Sequence, residues 1–103
     1  MTLSGQILGT RYYMAPEQAK AGAKEVTTAA DTYALGAMLY ELLTGKVPHQ
    51  GESIIDTLQL VAEEQPKMPR SLVPEIDRDL ETIALKCLRK DPEERYRSAA
   101  DLA

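Results

Sequence analysis

The 103-residue chain has a single cysteine, a single histidine, no tryptophan and no phenylalanine. One cysteine rules out an internal disulfide and a multi-cysteine zinc site, and one histidine is too few to supply the other ligands of a zinc centre; no metal site is expected. The longest apolar-rich run, from Tyr33 to Leu43, is far shorter than the ~20 residues of a membrane span. A charged stretch followed by an apolar one is missing from the first residues, so no secretory leader is expected and a cytoplasmic location follows. Basic excess is also missing: the net charge is -4, which argues against binding a nucleic-acid backbone. What remains is 44% hydrophobic residues, enough for the core of a helical piece.

The periodicity of that apolar content predicts four helices and no strand. Pro16 suits the first turn of a short helix reaching about Ala21, because its missing N–H costs nothing there. Thr28, with Asp31 three residues on, is the expected cap of a helix from Thr28 to Thr44, and Gly45 supplies the left-handed residue that stops it. Ile54, Ile55, Leu58, Val61 and Ala62 form one face of a third helix beginning near Glu52 and ending before Pro66. Pro66, Pro69 and Pro74 then predict a stiff loop, and Asp77 caps a fourth helix with the stripe Leu80, Ile83, Ala84, Cys87 and Leu88. Ser98 is positioned to start a fifth helix.

The second of these helices speaks most directly about architecture. Between Ala34 and Leu43 its only charge is Glu41, so it is apolar on every side and has to be surrounded. A chain of this length with a few short helices covers one or two of its sides, and part of its packing surface is expected to lie elsewhere. Self-association of the isolated chain is a further expectation, because uncovered apolar surface finds partners. The lone Cys87 and His49 could be read as nucleophile and base. Cys87 lies on a core-facing stripe, however, and is expected to be a buried inert thiol, while His49, between Pro48 and Gly51, is expected to be a solvated loop residue.

Three motifs occur in order: Gly9-Thr10-Arg11-Tyr12-Tyr13-Met14-Ala15-Pro16-Glu17-Gln18; Asp31 and its neighbours leading to Tyr40-Glu41-Leu42-Leu43-Thr44-Gly45; and Asp91-Pro92-Glu93-Glu94-Arg95-Tyr96. Together they resemble the serine/threonine protein kinases, in the dialect of the bacterial branch, from the end of the activation segment onward. The resemblance implies an all-α, partial kinase C-lobe, with the central, third and fourth helices and the start of a fifth. It divides residues 1–103 into an activation and substrate-docking segment, 1–14, and a helical scaffold, 15–103. Gly9, Thr10, Arg11, Tyr12, Tyr13 and Met14 would line the substrate site. In the family the threonine matching Thr10 supports the catalytic aspartate; an ordinary turn threonine is the plainer account. Arg11 departs from the proline or small residue that many relatives carry.

By the same resemblance Glu17 pairs with Arg95 to hold the docking loop. Asp31 would anchor the backbone of the catalytic loop, although a carboxylate in a first turn also stabilises a helix with no further role. Thr2 and Ser4 stand where such kinases are phosphorylated, and are equally ordinary hydroxyls of a chain terminus. The sequence contains no Gly-x-Gly-x-x-Gly, Val-Ala-x-Lys, His-Arg-Asp or Asp-Phe-Gly. ATP and magnesium are therefore implied for the intact parent, and no catalytic residue, cofactor or metal for these residues alone. Two classes remain open: a docking and scaffold piece of a kinase, inactive without its N-terminal half, and a truncated kinase-like module that binds proteins without catalysis. Met1 is correspondingly an artificial boundary or a native start.

Overall fold

A computed structural model describes residues 13–20 and 27–96. Helix α1, Pro16–Lys20, is followed by α2, Thr28–Thr44; α3, Ile54–Glu63; α4, Pro69–Leu72; α5, Arg78–Cys87; and a 3-10 turn, Pro92–Glu94. No strand occurs among the described residues. Residues 97–103, with the helix expected from Ser98, lie outside them, as does Ala21.

Each boundary has a local chemical cause. Thr27, extended at φ -125°, caps α2 by accepting a 3.0 Å hydrogen bond from the Ala30 amide. This corrects the expected cap by one residue: Thr28 is the first helical residue, and its carbonyl accepts from the Thr32 hydroxyl at 2.9 Å. At the other end Gly45 adopts φ 78° and donates its amide to the Glu41 carbonyl at 2.7 Å, a conformation that a side chain would strain. Ser53 caps α3 through the Asp56 amide at 3.1 Å, so this helix starts at Ile54 rather than near Glu52. Asp77 caps α5 as expected, accepting from the amides of Asp79 and Leu80. The proline-rich connection is not all loop. Pro69 starts a single helical turn, where its missing N–H is no loss, and the buried Glu81 carboxylate accepts from the Arg70 amide at 2.8 Å.

The core is built around α2. Ala30, Tyr33, Ala37 and Tyr40 pack with Ala15, Val61 and Leu88, and Tyr13 and Leu72 close its edges. Removing Val61 and Leu88 from water contributes about 1.5–3 kcal/mol each. Helix α5 crosses α2 at Gly36, where an added Cβ would stand 2.3 Å from that of Cys87, so only glycine permits the approach. Helix α1 rests against α3, and α4 bridges α2 and α5. Tyr40 buries its ring and donates its hydroxyl to the Lys67 carbonyl at 2.7 Å. Lys90 reaches back to the Val61 carbonyl at 2.7 Å, tying the end of α5 to α3.

Two expectations about burial change. Leu80 is exposed and its neighbour Glu81 is buried, because the carboxylate is needed at α4. His49 is only 7% exposed, not solvated: the loop after α2 folds it inward. Helix α2 is covered only in part, as expected of a chain this short: Leu35, Met38 and Leu42 are exposed along one side of it, Leu42 at 84%.

Candidate functional site

The strongest polar constellation lies where the two ends of the described chain meet. The Arg95 side chain is completely buried and donates two parallel 2.8 Å hydrogen bonds to the Glu17 carboxylate. Its remaining donors reach the carbonyls of Arg89 at 2.6 Å, Ala29 at 3.0 Å and Lys90 at 3.2 Å. Five hydrogen bonds thus leave from one guanidinium, a geometry for which a lysine ammonium has neither the fork nor the donors. The guanidinium also lies 5.0 Å from the centre of the Tyr33 ring. Burial by itself would raise the Glu17 carboxyl, but the Arg95 hydrogen bonds, its own backbone amide and the Arg95 charge outweigh that and hold it below its usual range. Burial pushes the Tyr33 phenol the other way, up to about 12.

This pair fixes α1 by its first turn, and Met14 and Ala15 lead directly into that turn. A second fastening lies one step upstream, where the Tyr13 hydroxyl donates to the Glu41 carboxylate of α2. That hydrogen bond, with burial and the Glu41 charge, raises the Tyr13 phenol above its ordinary value. From the sequence Tyr13 is expected only as a wall of a docking site, and Glu41 as its partner was missed. The signal was present, because a single carboxylate within an otherwise apolar stretch requires a polar partner.

Other candidates are placed differently. Asp31 is exposed in the first turn of α2, and its carboxylate makes no hydrogen bond among the described residues. Met14 is half-buried beside Tyr13. Gly9, Thr10, Arg11 and Tyr12 lie outside the described residues, and so do Thr2 and Ser4. Cys87 is buried, and burial moves its thiol up to about 11. Burial, followed by the Lys90 charge, lowers His49 to about 4. Burial thus makes the thiol hard to ionise and the imidazole a weak base, the opposite of the shifts that activate a nucleophile and its base. Among the described residues no cluster of three or more histidines, cysteines or carboxylates could hold a metal ion. Among them, too, no helix is long and apolar enough to cross a membrane.

Comparison with known proteins gives this arrangement a context. The protein kinase domain family matches residues 3–102. The chain is 39% identical over 102 residues to the probable serine/threonine-protein kinase SCO3848 of Streptomyces coelicolor, covering 99% of this chain and 15% of the relative. It is 40% identical over 103 residues to serine/threonine-protein kinase PrkC of Bacillus subtilis, with 99% and 15% covered. Against serine/threonine-protein kinase PknB of Mycobacterium tuberculosis the identity is 36% over 102 residues, with 99% and 16% covered. Among solved structures, the twitchin kinase region of C. elegans superposes with a TM-score of 0.76 at 32% identity, over 86% of this chain and 15% of that one. The chain thus spans about 15% of the length of the proteins it matches. Helical throughout its described elements, and with its relatives among bacterial serine/threonine kinases, the chain belongs to the protein kinase domain family as a portion of the helical C-lobe.

Proposed function

We propose that the chain is the substrate-docking and scaffold part of a serine/threonine protein kinase whose intact form transfers the terminal phosphoryl group of magnesium-ATP to protein serine or threonine. Residues 1–14 are the docking segment and residues 15–103 its scaffold. The observation that carries this reading is the double fastening of the segment's end: Tyr13 to Glu41 on α2, and Glu17 to Arg95 after α5. A loop that receives a peptide has to be held still, because a misplacement of 1 Å costs on the order of 100-fold in rate. In this role Tyr13 and Met14 wall the site and Arg95 acts only through Glu17. The exposed Asp31 is free to receive the backbone of a catalytic loop. The apolar side of α2 bearing Leu35, Met38 and Leu42 is the seat of the N-terminal half of the kinase domain, and without that half a second copy covers it.

Magnesium-ATP supplies the phosphoryl group in the intact enzyme, and the residues here do not fit it. The described residues hold no cluster suited to a metal ion, and the sequence has none of the phosphate-cradling motifs. The 103-residue chain alone is therefore inactive, and the parent acts in the cytoplasm. Calorimetry with magnesium-ATP and phosphate transfer to a generic serine/threonine substrate test this, comparing the chain alone with the same chain joined to a kinase N-terminal half. Activity only in the joined protein is expected. Saturable nucleotide binding by residues 1–103 alone, or silence of the joined protein, would overturn the proposal.

A further inference from the structure

His49, the only histidine of the chain, is 7% exposed, and its Nε2 meets no hydrogen-bond partner among the described residues. An unmatched buried polar atom weakens a fold, and such exceptions concentrate where a ligand completes the arrangement. The ring lines a cavity of about 310 Å³ between the loop that follows α2, the end of α3, and α4. That volume suits a small organic molecule. Apolar surface comes from Val47 and Pro48 of the loop, Leu60 of α3 and Leu72 of α4. Lys46 and Lys67, both exposed, also line the cavity, with Glu64 as the one carboxylate that does so. Lys90 acts on both Glu64 and His49 through its charge. Three ammonium groups, those of Lys46, Lys67 and Lys90, thus meet one carboxylate here, although the chain as a whole carries -4.

The loop that forms one wall is fixed at both ends. The Thr44 hydroxyl accepts from the Lys46 amide at 3.0 Å, and Gly51 donates its amide to the buried Thr57 hydroxyl at 2.9 Å. The second approach is so close that a Cβ on Gly51 would stand 2.6 Å from that of Asp56. A cavity held in this way receives a ligand without first ordering its loop. We propose that it is a binding site for a small aromatic carboxylate, with the ring against Pro48, Leu60 and Leu72, the carboxylate at Lys46 and Lys67, and a ring hydroxyl hydrogen-bonded to His49 Nε2. A neutral imidazole offers one donor and one acceptor nitrogen, and a phenol hydroxyl can meet either. The site does not depend on phosphoryl transfer, and binding to it is measurable on the chain as it stands.

The probes are 4-hydroxybenzoate, benzoate, which lacks the hydroxyl, and 4-hydroxybenzamide, which lacks the charge. Nuclear magnetic resonance of the nitrogen-15-labelled chain reads the single imidazole without ambiguity. 4-Hydroxybenzoate should bind saturably with a Kd of about 1 mM or lower, within reach of a ligand this small. It should also move the Nε2 resonance and lose affinity as salt is added. Benzoate should bind about tenfold more weakly and leave that resonance in place. The amide should bind weakly with no salt dependence. His49→Phe should reduce 4-hydroxybenzoate to the affinity of benzoate. The double variant Lys46→Gln/Lys67→Gln, at exposed positions, should raise Kd about tenfold and remove the salt dependence with little change in Tm. No saturable binding, equal binding of the three probes, or unchanged binding to His49→Phe would overturn the proposal. So would an Nε2 resonance unmoved at saturation, which would assign that atom to a water.

Discussion

Replacing Arg95 by alanine removes a buried cation, both hydrogen bonds to Glu17, and the donors to three backbone carbonyls. Breaking a buried ion pair from one side costs about 3–5 kcal/mol, because the remaining charge keeps its desolvation penalty. The Glu17 side chain is 27% exposed and recovers some hydration, which places the pair near the lower end. The stranded carbonyls of Arg89, Ala29 and Lys90 add to the loss. About 3 kcal/mol is a large part of the stability of a domain this size, and it corresponds to a fall in Tm of more than about 10 °C. Thermal melts followed by circular dichroism and urea midpoints read it directly. Arg95→Lys should recover only a minor share, since an ammonium cannot bond the carboxylate bidentately and the carbonyls together. Because the Glu17 carboxyl is held low in the folded state, the pair's contribution is present above the ordinary carboxylate pKa and fades as pH falls through the folded value. A destabilisation below about 1 kcal/mol for Arg95→Ala, the magnitude of an exposed pair, would refute the reasoning.

His49 gives a second acid dependence at higher pH: its folded pKa of about 4 against an ordinary 6.5 means stability is complete above pH 6.5 and declines towards pH 4, by about 3 kcal/mol at most. Because its Nε2 is buried without a partner, His49→Phe should abolish that dependence between pH 6.5 and 4.5 and raise the urea midpoint at pH 7. Gly36→Ala forces a methyl to within 2.3 Å of the Cys87 Cβ and should cost about 1–3 kcal/mol by overpacking, whereas the double variant Gly36→Ala/Cys87→Gly should recover part of the loss. The Cys87 thiol, buried and raised to about 11, should react with a thiol reagent at pH 8 only at the rate of unfolding, and stoichiometrically in denaturant.

What could be read in advance followed the range of each interaction. Caps and stops act over three or four residues, so Asp77 and Gly45 were legible and the cap of α2 missed by one position. The turn at Pro69 was hidden because the Arg70 amide within it is satisfied by Glu81, eleven residues further along the chain. The same carboxylate reversed the burial of Leu80 and Glu81. The apolar stripe of α3 was legible as a stripe, but that Val61 of it is buried while Ile54 and Ile55 are exposed depends on how the helix packs, which periodicity does not encode. His49 was misjudged for a similar reason: its turn-like neighbours indicate a loop without indicating that the loop folds inward. The Glu17–Arg95 contact came from motif resemblance alone, since nothing local to either residue points to the other.

That contact spans 78 positions, and its two partners are not made together. At ~5–20 residues per second on the ribosome, Glu17 is synthesised about 4–16 s before the arginine that will hold it. Throughout that interval α1 has its neighbours on α3 and the upstream Tyr13–Glu41 bond, but not the buried guanidinium that fixes its first turn. Closure of this contact therefore waits on the synthesis of Arg95. A message that ends before the Arg95 codon yields a chain with every described α-helix and no guanidinium for the Glu17 carboxylate.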